Sequence, residues 1–203
     1  MEFKEYRTTD KSAWNRGPWD QEPDKRQWQD EATGLPCLIV RGPAGALCGY
    51  VGVPEGHPAH GKDYDDVEVS CHGGLTFARG CSDHSRESFE QWRERLIKSR
   101  AEAEKYPQGD AAERIREQSK YLDDYDAWCK WGESVSVCHT PARGEPDSVW
   151  WLGFDCNHSG DKAPARDRTF PSSFGESYKT WGYVEMEVRD LAKQLGAMTA
   201  TAV

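Results

Sequence analysis

A chain of 203 residues with a formal net charge of -9 suits one domain. Its acidity argues against a sequence-independent nucleic-acid binder, which needs clustered Lys and Arg to neutralise phosphates. No stretch reaches the roughly twenty apolar residues that span a bilayer, and the start Met1-Glu2-Phe3-Lys4-Glu5-Tyr6 lacks the apolar run of a secretory signal, so the expectation is a cytoplasmic protein without membrane contact.

Hydrophobic residues make up only 36%, yet nine Trp, eight Tyr and six Phe concentrate that apolar area in large side chains, which predicts an aromatic core. The seven Cys are Cys37, Cys48, Cys71, Cys81, Cys129, Cys138 and Cys156. They form no CxxC pair and are read as reduced, buried small side chains.

Residues 1–34 place Trp14, Trp19 and Trp28 in a polar run with Gly17-Pro18 and Glu22-Pro23-Asp24-Lys25. Such a segment predicts an irregular arm that wraps the domain, with its indoles packed inward. Strand signals follow at Cys37-Leu38-Ile39-Val40 and from Leu47 to Val53, joined by the turn Arg41-Gly42-Pro43-Ala44-Gly45, which reads as a β-hairpin. Pro54 to Gly61 is a loop rich in turn residues. Two further strands are expected at Val67–Cys71 and Leu75–Ala78. Between them His72-Gly73-Gly74 marks a bulge or a close approach by backbone or ligand.

Residues 82–132 change to helical spacing, with Phe89, Trp92 and Leu96 on one stripe and Ala111, Ile115, Leu122, Tyr125 and Cys129 on another. Pro107-Gln108-Gly109-Asp110 separates them, so the segment predicts a helical hairpin inserted between strands. Strand character returns at Val135–His139 and Val149–Asp155. Val184, Val188, Leu191 and Leu195 then outline a last helix, stopped by Gly196. The resulting expectation is one α+β domain over 1–203, a mainly antiparallel sheet packed by the C-terminal helix. Its core is 35–81 with 133–203, and Met198 to Val203 fray.

Chemistry concentrates at two places. Trp151 lies on a strand that ends in Asp155-Cys156-Asn157-His158-Ser159-Gly160-Asp161, an abrupt change from apolar residues to groups that bind protons, phosphate or metal. Asp155, His158 and Asp161 step by three, and on a helical turn they would share one face as candidate ligands of a divalent metal. His72 would be a fourth ligand or, with His158 and Asp155, part of an acid/base set. A purely structural role is equally open, with Asp155 and Asn157 capping a turn and His158 bonded to the backbone. The pairs Cys71-His72, Cys81-x-x-His84, Cys138-His139 and Cys156-x-His158 match no standard zinc spacing. Walker A, GxGxxG and GxSxG motifs are absent.

Five segments carry a resemblance: Gly17-Pro18-Trp19-Asp20 with Glu22-Pro23-Asp24-Lys25; Thr33-Gly34-Leu35-Pro36-Cys37; Cys48-Gly49-Tyr50-Val51-Gly52-Val53-Pro54 with Gly56-His57-Pro58; His72-Gly73-Gly74-Leu75-Thr76; and Gly153-Phe154-Asp155-Cys156 with His158 and Gly160-Asp161. Together they resemble a family of small bacteriophage and prophage proteins of unassigned function, over most of the chain except the helical insertion. The resemblance implies an accessory, counter-defence role in the cytoplasm of an infected cell, with a nucleotide-derived immune signal as ligand. It brings no catalytic residues with it.

For such a ligand the chain offers aromatic faces at Tyr50 and Trp151 and phosphate partners at Arg41, Arg79 and Lys62, beside His72, Gly73, Gly74, Asp155, Asn157 and His158. The leading expectation is an oligomeric protein that binds and sequesters the signal; the alternatives are a hydrolase, metal-dependent or not, that cleaves it, and an inhibitor that docks on a host protein through the arm or the insertion.

Overall fold

A computed structural model describes residues 1–81, 89–103, 105, 110–140, 148–166 and 175–198; His84, Pro107-Gln108-Gly109 and the residues from 199 on lie outside them. Its centre is a six-stranded antiparallel sheet formed by β1 (Lys4–Tyr6), β2 (Lys25–Gln29), β3 (Pro36–Arg41), β4 (Leu47–Val53), β5 (Phe77–Gly80) and β6 (Trp150–Asp155). The spatial order is β1-β2-β3-β4-β6-β5. The expected hairpin is β3–β4, with Cys37 opposite Val51 and Arg41 opposite Leu47. Its turn needs Gly45, whose φ is 85°.

Alternation along β3, β4 and β6 builds two apolar faces. Cys37, Ile39, Leu47, Val51, Leu152 and Phe154 face the last helix, α4 (Trp181–Gly196), which lays Val184, Val188, Leu191 and Leu195 against them, all fully buried. The helix can sit this low because residue 49 is glycine: a Cβ there would lie 2.5 Å from both Phe154 and Val188. Leu38, Val40, Tyr50 and Trp151 form the opposite face, under Cys81 and Val137. Together these features establish the α+β class, an antiparallel sheet covered by a C-terminal helix. Among the described residues, no helix is long and apolar enough to cross a membrane.

The insertion joins β5 to β6, which are neighbours in the sheet. Helices α1 (Phe89–Ala103) and α2 (Asp110–Ser119) pack as the expected hairpin. Trp92 and Leu96 bury against Leu122 in a small core of their own. A third helix, α3 (Tyr125–Val135), follows, with Asp124 as its N-cap accepting from the Ala127 N–H.

Three sequence expectations differ from the fold. Residues 1–34 are not wholly irregular, since β1 and β2 extend the sheet and Trp19 and Trp28 are buried. Val67–Cys71 is not a strand; it runs as irregular chain into a turn at His72-Gly73. Nor is Val135–His139 a strand, because Val135 ends α3 and the following residues cross over β2 rather than pairing beside it. Their backbone groups bond to buried side chains: Lys25 Nζ donates to the carbonyls of Glu133, Ser136 and Cys138, and Gln27 bonds to both N–H and C=O of Thr140.

The two ends of the described chain meet in a buried polar knot. Each guanidinium N–H of Arg41 has a partner: Nε donates to Asp24, Nη1 to Gly45 O and the Tyr178 hydroxyl, and Nη2 to Glu22 and Pro23 O. Tyr178 in turn donates to Glu22 Oε2, while Glu22 Oε1 accepts the Trp181 N–H at the start of α4. Asp24 also takes the N–H groups of Thr8 and Thr9 and pairs with Lys11 at 2.8 Å.

Burial sets a pH dependence. Burial pushes the Cys48 and Cys71 thiols up to about 11, and raises those of Cys37 and Cys156 as well. A group whose folded pKa lies above its unfolded value, about 8.5 for a thiol, contributes stability below that pH and loses it as pH rises through the folded pKa. Lys25, lowered to about 8 by burial, works in the opposite direction between pH 8 and its unfolded value of about 10.4. Four thiols outweigh this amine and Lys11, which burial also lowers, so urea-unfolding stability is expected to fall between pH 8.5 and 10.5; a flat or rising profile would contradict these burials.

Candidate functional site

Residues 71–74 turn tightly, with Gly74 N–H donating to Cys71 O. Gly73 and Gly74 both adopt the left-handed region, at φ 67° and 85°, which glycine reaches without steric cost. The turn aims His72 inward across the sheet end. Beyond β6, a second turn runs from His158 to Asp161, closed by the Asp161 N–H on His158 O. Residues 160–162 are held beside Ser177 by two backbone hydrogen bonds, Ser177 N–H to Gly160 O and Lys162 N–H to Ser177 O.

These turns, the segment just before α4 and the first turn of that helix bring together His72, His158, Asp161, Lys179 and Tyr183. Asp161 is the hub, with a side chain only 4% exposed. Its Oδ2 lies 2.8 Å from His72 Nε2 and 3.5 Å from His158 Nδ1, and accepts the His158 backbone N–H at 3.1 Å. Its Oδ1 lies 3.3 Å from Lys179 Nζ. Burial works to raise the Asp161 pKa, but the hydrogen bonds from His72 and the His158 N–H, and the Lys179 ammonium, win and hold it below the usual carboxylate range. The carboxylate is therefore ionised at neutral pH.

On its other side His72 Nδ1 meets the Tyr183 hydroxyl at 3.0 Å, and the His72 and His158 rings lie 5.5 Å apart. Burial and the neighbouring Glu187 carboxylate raise the Tyr183 pKa, so its proton stays available for hydrogen bonding. His158 Nδ1 is shut off from solvent yet makes no hydrogen bond. The ring packs directly on Gly73, where a Cβ would fall onto the imidazole. Both histidines keep an outer edge in contact with solvent, with side chains 15% and 34% exposed. The cluster can accept and donate protons, and its two imidazole nitrogens and one carboxylate oxygen lie within 4.8 Å of one another.

The expected residues are thus divided. His72, His158 and Asp161 come together, with Gly73 as their spacer; Gly74 adjoins them with open space around it. Asp155 does not join. It lies at the end of β6, where Oδ2 accepts the Thr76 hydroxyl and Oδ1 the Asn157 N–H. The one-face spacing of 155, 158 and 161 needs a helical turn, and the chain is still a strand at 155. Asn157 is exposed, as are Arg79 and Lys62.

Tyr50 and Trp151 belong to the sheet face opposite α4 and are buried there, Trp151 donating Nε1–H to Cys81. The Arg41 side chain is 0% exposed. These three side chains are spent in the interior and are closed to a ligand in this conformation. Sequence reasoning missed Lys179 and Tyr183; Tyr183 carries a visible signal, a hydroxyl one residue from the buried stripe of α4. No family model, curated protein or solved structure matches the chain.

Proposed function

We propose that the protein is a phage accessory hydrolase that cleaves a nucleotide-derived signal of host immunity, of the cyclic-nucleotide or ADP-ribose type, at the His72–His158–Asp161 cluster. The supporting observation is the convergence of two imidazoles on one buried, ionised carboxylate, with a solvent-facing edge where a reacting group can enter. Hydrolysis is served by such a combination. A water molecule gives its hydroxide to the electrophilic phosphorus and its proton to the cluster, the P–O bond breaks, and the departing oxygen leaves with a proton. The Lys179 ammonium, already beside Asp161, adds positive charge where an anionic substrate approaches. The substrate class and the setting, the cytoplasm of an infected cell, rest on the resemblance to phage proteins.

Lys179 also favours a second reading. An ammonium at the rim would hold an anionic ligand whether or not it is cleaved, so the cluster would serve a sequestering protein too.

Incubating catalytic amounts of the protein with cyclic dinucleotides and cyclic ADP-ribose derivatives, followed by mass spectrometry, decides between the two. Conversion of a panel member is expected, falling by about 10²- to 10⁴-fold in His72→Ala and His158→Ala. Stoichiometric capture of an intact nucleotide would establish sequestration, and neither outcome would leave the nucleotide reading without support.

A further inference from the structure

We propose that His72 Nε2, His158 Nδ1 and Asp161 Oδ2 are the protein ligands of one divalent transition-metal ion, zinc or a close relative, and that this ion activates the water in the hydrolysis proposed above. The inference deepens that reading and rests on it for the ion's purpose; the site itself stands on geometry.

Two imidazole nitrogens and one carboxylate oxygen on one side of an ion form the ligand set of open metal sites, which leave coordination positions for water and substrate. Zinc bonds of about 2.0–2.2 Å place neighbouring tetrahedral ligand atoms roughly 3.3 Å apart. The pairs here, 2.8 Å for His72 with Asp161 and 3.5 Å for His158 with Asp161, straddle that spacing. All three ligand atoms lie within 4.8 Å of one another, close enough to converge on one cation.

An independent observation concerns His158. Its Nδ1 is buried and makes no hydrogen bond, an arrangement that costs free energy when nothing compensates it. The atom lies 3.5 Å from Asp161 Oδ2 without forming a hydrogen bond to it. An ion shared with that oxygen gives the nitrogen a partner. Gly73 makes the placement feasible, since any side chain there would occupy the space of the His158 ring.

The surroundings suit ligation. Metal-bound histidines generally donate their other N–H to an oriented acceptor. His72 Nδ1 already sits against the Tyr183 hydroxyl, which both donates and accepts and has the Glu187 carboxylate as a neighbour. When Nε2 gives up its hydrogen bond to Asp161 in favour of the ion, Nδ1–H can donate to Tyr183 and the tyrosine proton can turn to Glu187. Lys179 holds Asp161 by Oδ1, leaving Oδ2 for the metal.

Full-length protein, stripped with chelator, is titrated with Zn²⁺ by calorimetry and with Co²⁺ by visible absorption. One equivalent should bind, with cobalt bands of tetrahedral or five-coordinate type and no thiolate charge-transfer absorption. Asp161→Asn, which preserves shape, and His158→Ala should each weaken binding at least about 100-fold, and Tyr183→Phe about 10-fold, while circular dichroism stays native. Absence of stoichiometric uptake by the wild type, uptake unchanged in folded Asp161→Asn, or a thiolate band would overturn the site. Turnover that survives chelation would remove the ion and leave the hydrolase, whereas tight metal binding with an unconverted nucleotide panel would keep the site and remove the hydrolytic reading.

Discussion

Arg41→Ala is expected to destabilise the protein by roughly 3–5 kcal/mol, the cost of leaving buried carboxylates without their partner. The side chain is 0% exposed, and Glu22 and Asp24 at its two ends are 11% and 4% exposed. Removing the guanidinium takes one charged partner from both carboxylates and the donors from the Gly45 and Pro23 carbonyls and the Tyr178 oxygen in one step. Lys11 remains on Asp24 but cannot replace a five-donor fork. Arg41→Lys should recover only part of the loss, because an ammonium has three donors and no planar geometry. Urea unfolding monitored by tryptophan fluorescence measures this. A loss below about 1 kcal/mol would mean that the knot is not the closed network described and would reopen Arg41 as a ligand contact.

Gly73→Ala should reduce turnover by about 100-fold or more, the scale on which an ångström of misplacement at a reacting centre is felt. Its Cβ would fall onto the His158 ring, so the imidazole must leave its place beside Asp161 and His72. Gly74→Ala is the matched control. Residue 74 also has positive φ, 85° against 67°, and so carries a similar backbone strain of roughly 1 kcal/mol, but open space surrounds its Cβ position. Both variants should lose comparable stability while only the first loses activity. Equal activities would show that the His158 position is not needed for the reaction.

Regular periodicity was legible wherever it was met by regular burial. The strands at 37–40, 47–53 and 149–155 and the stripe Val184, Val188, Leu191, Leu195 are found close to where the pattern places them, because those side chains occupy the sheet and helix interior. The arm hid β2 because its inward positions are Lys25 and Gln27, 1% and 0% exposed. Inward polar residues break the expected apolar alternation. Their bonding partners are the backbone groups of 133–140, and the same bonds explain why Val135–His139 resembles a strand without being one. There the alternation of Val137 and His139 inward is real, but side chains take the place of a partner strand.

At the cluster, His72, His158 and Asp161 stand out by residue type. Asp155 was grouped with them because spacing alone cannot show where a strand stops and a turn begins. Tyr183 and Lys179 needed the tertiary fold, since nothing local connects them to a histidine more than a hundred residues earlier.

The knot that joins Glu22 to Trp181 has a consequence for assembly during synthesis. When the arm and the first hairpin leave the ribosome, β4 still exposes an unsatisfied edge, because its partner β6 lies beyond the whole helical insertion. Arg41 at that stage lacks Tyr178, and Glu22 lacks the N–H of Trp181. Long-range pairings of this kind are slow to form because chain closure comes before any reward. The arrival of α4 covers one sheet face, completes the knot and delivers Tyr183 to His72 in a single event. A nascent chain therefore cannot complete the surroundings of His72 before α4 arrives, because Tyr183 comes with that helix.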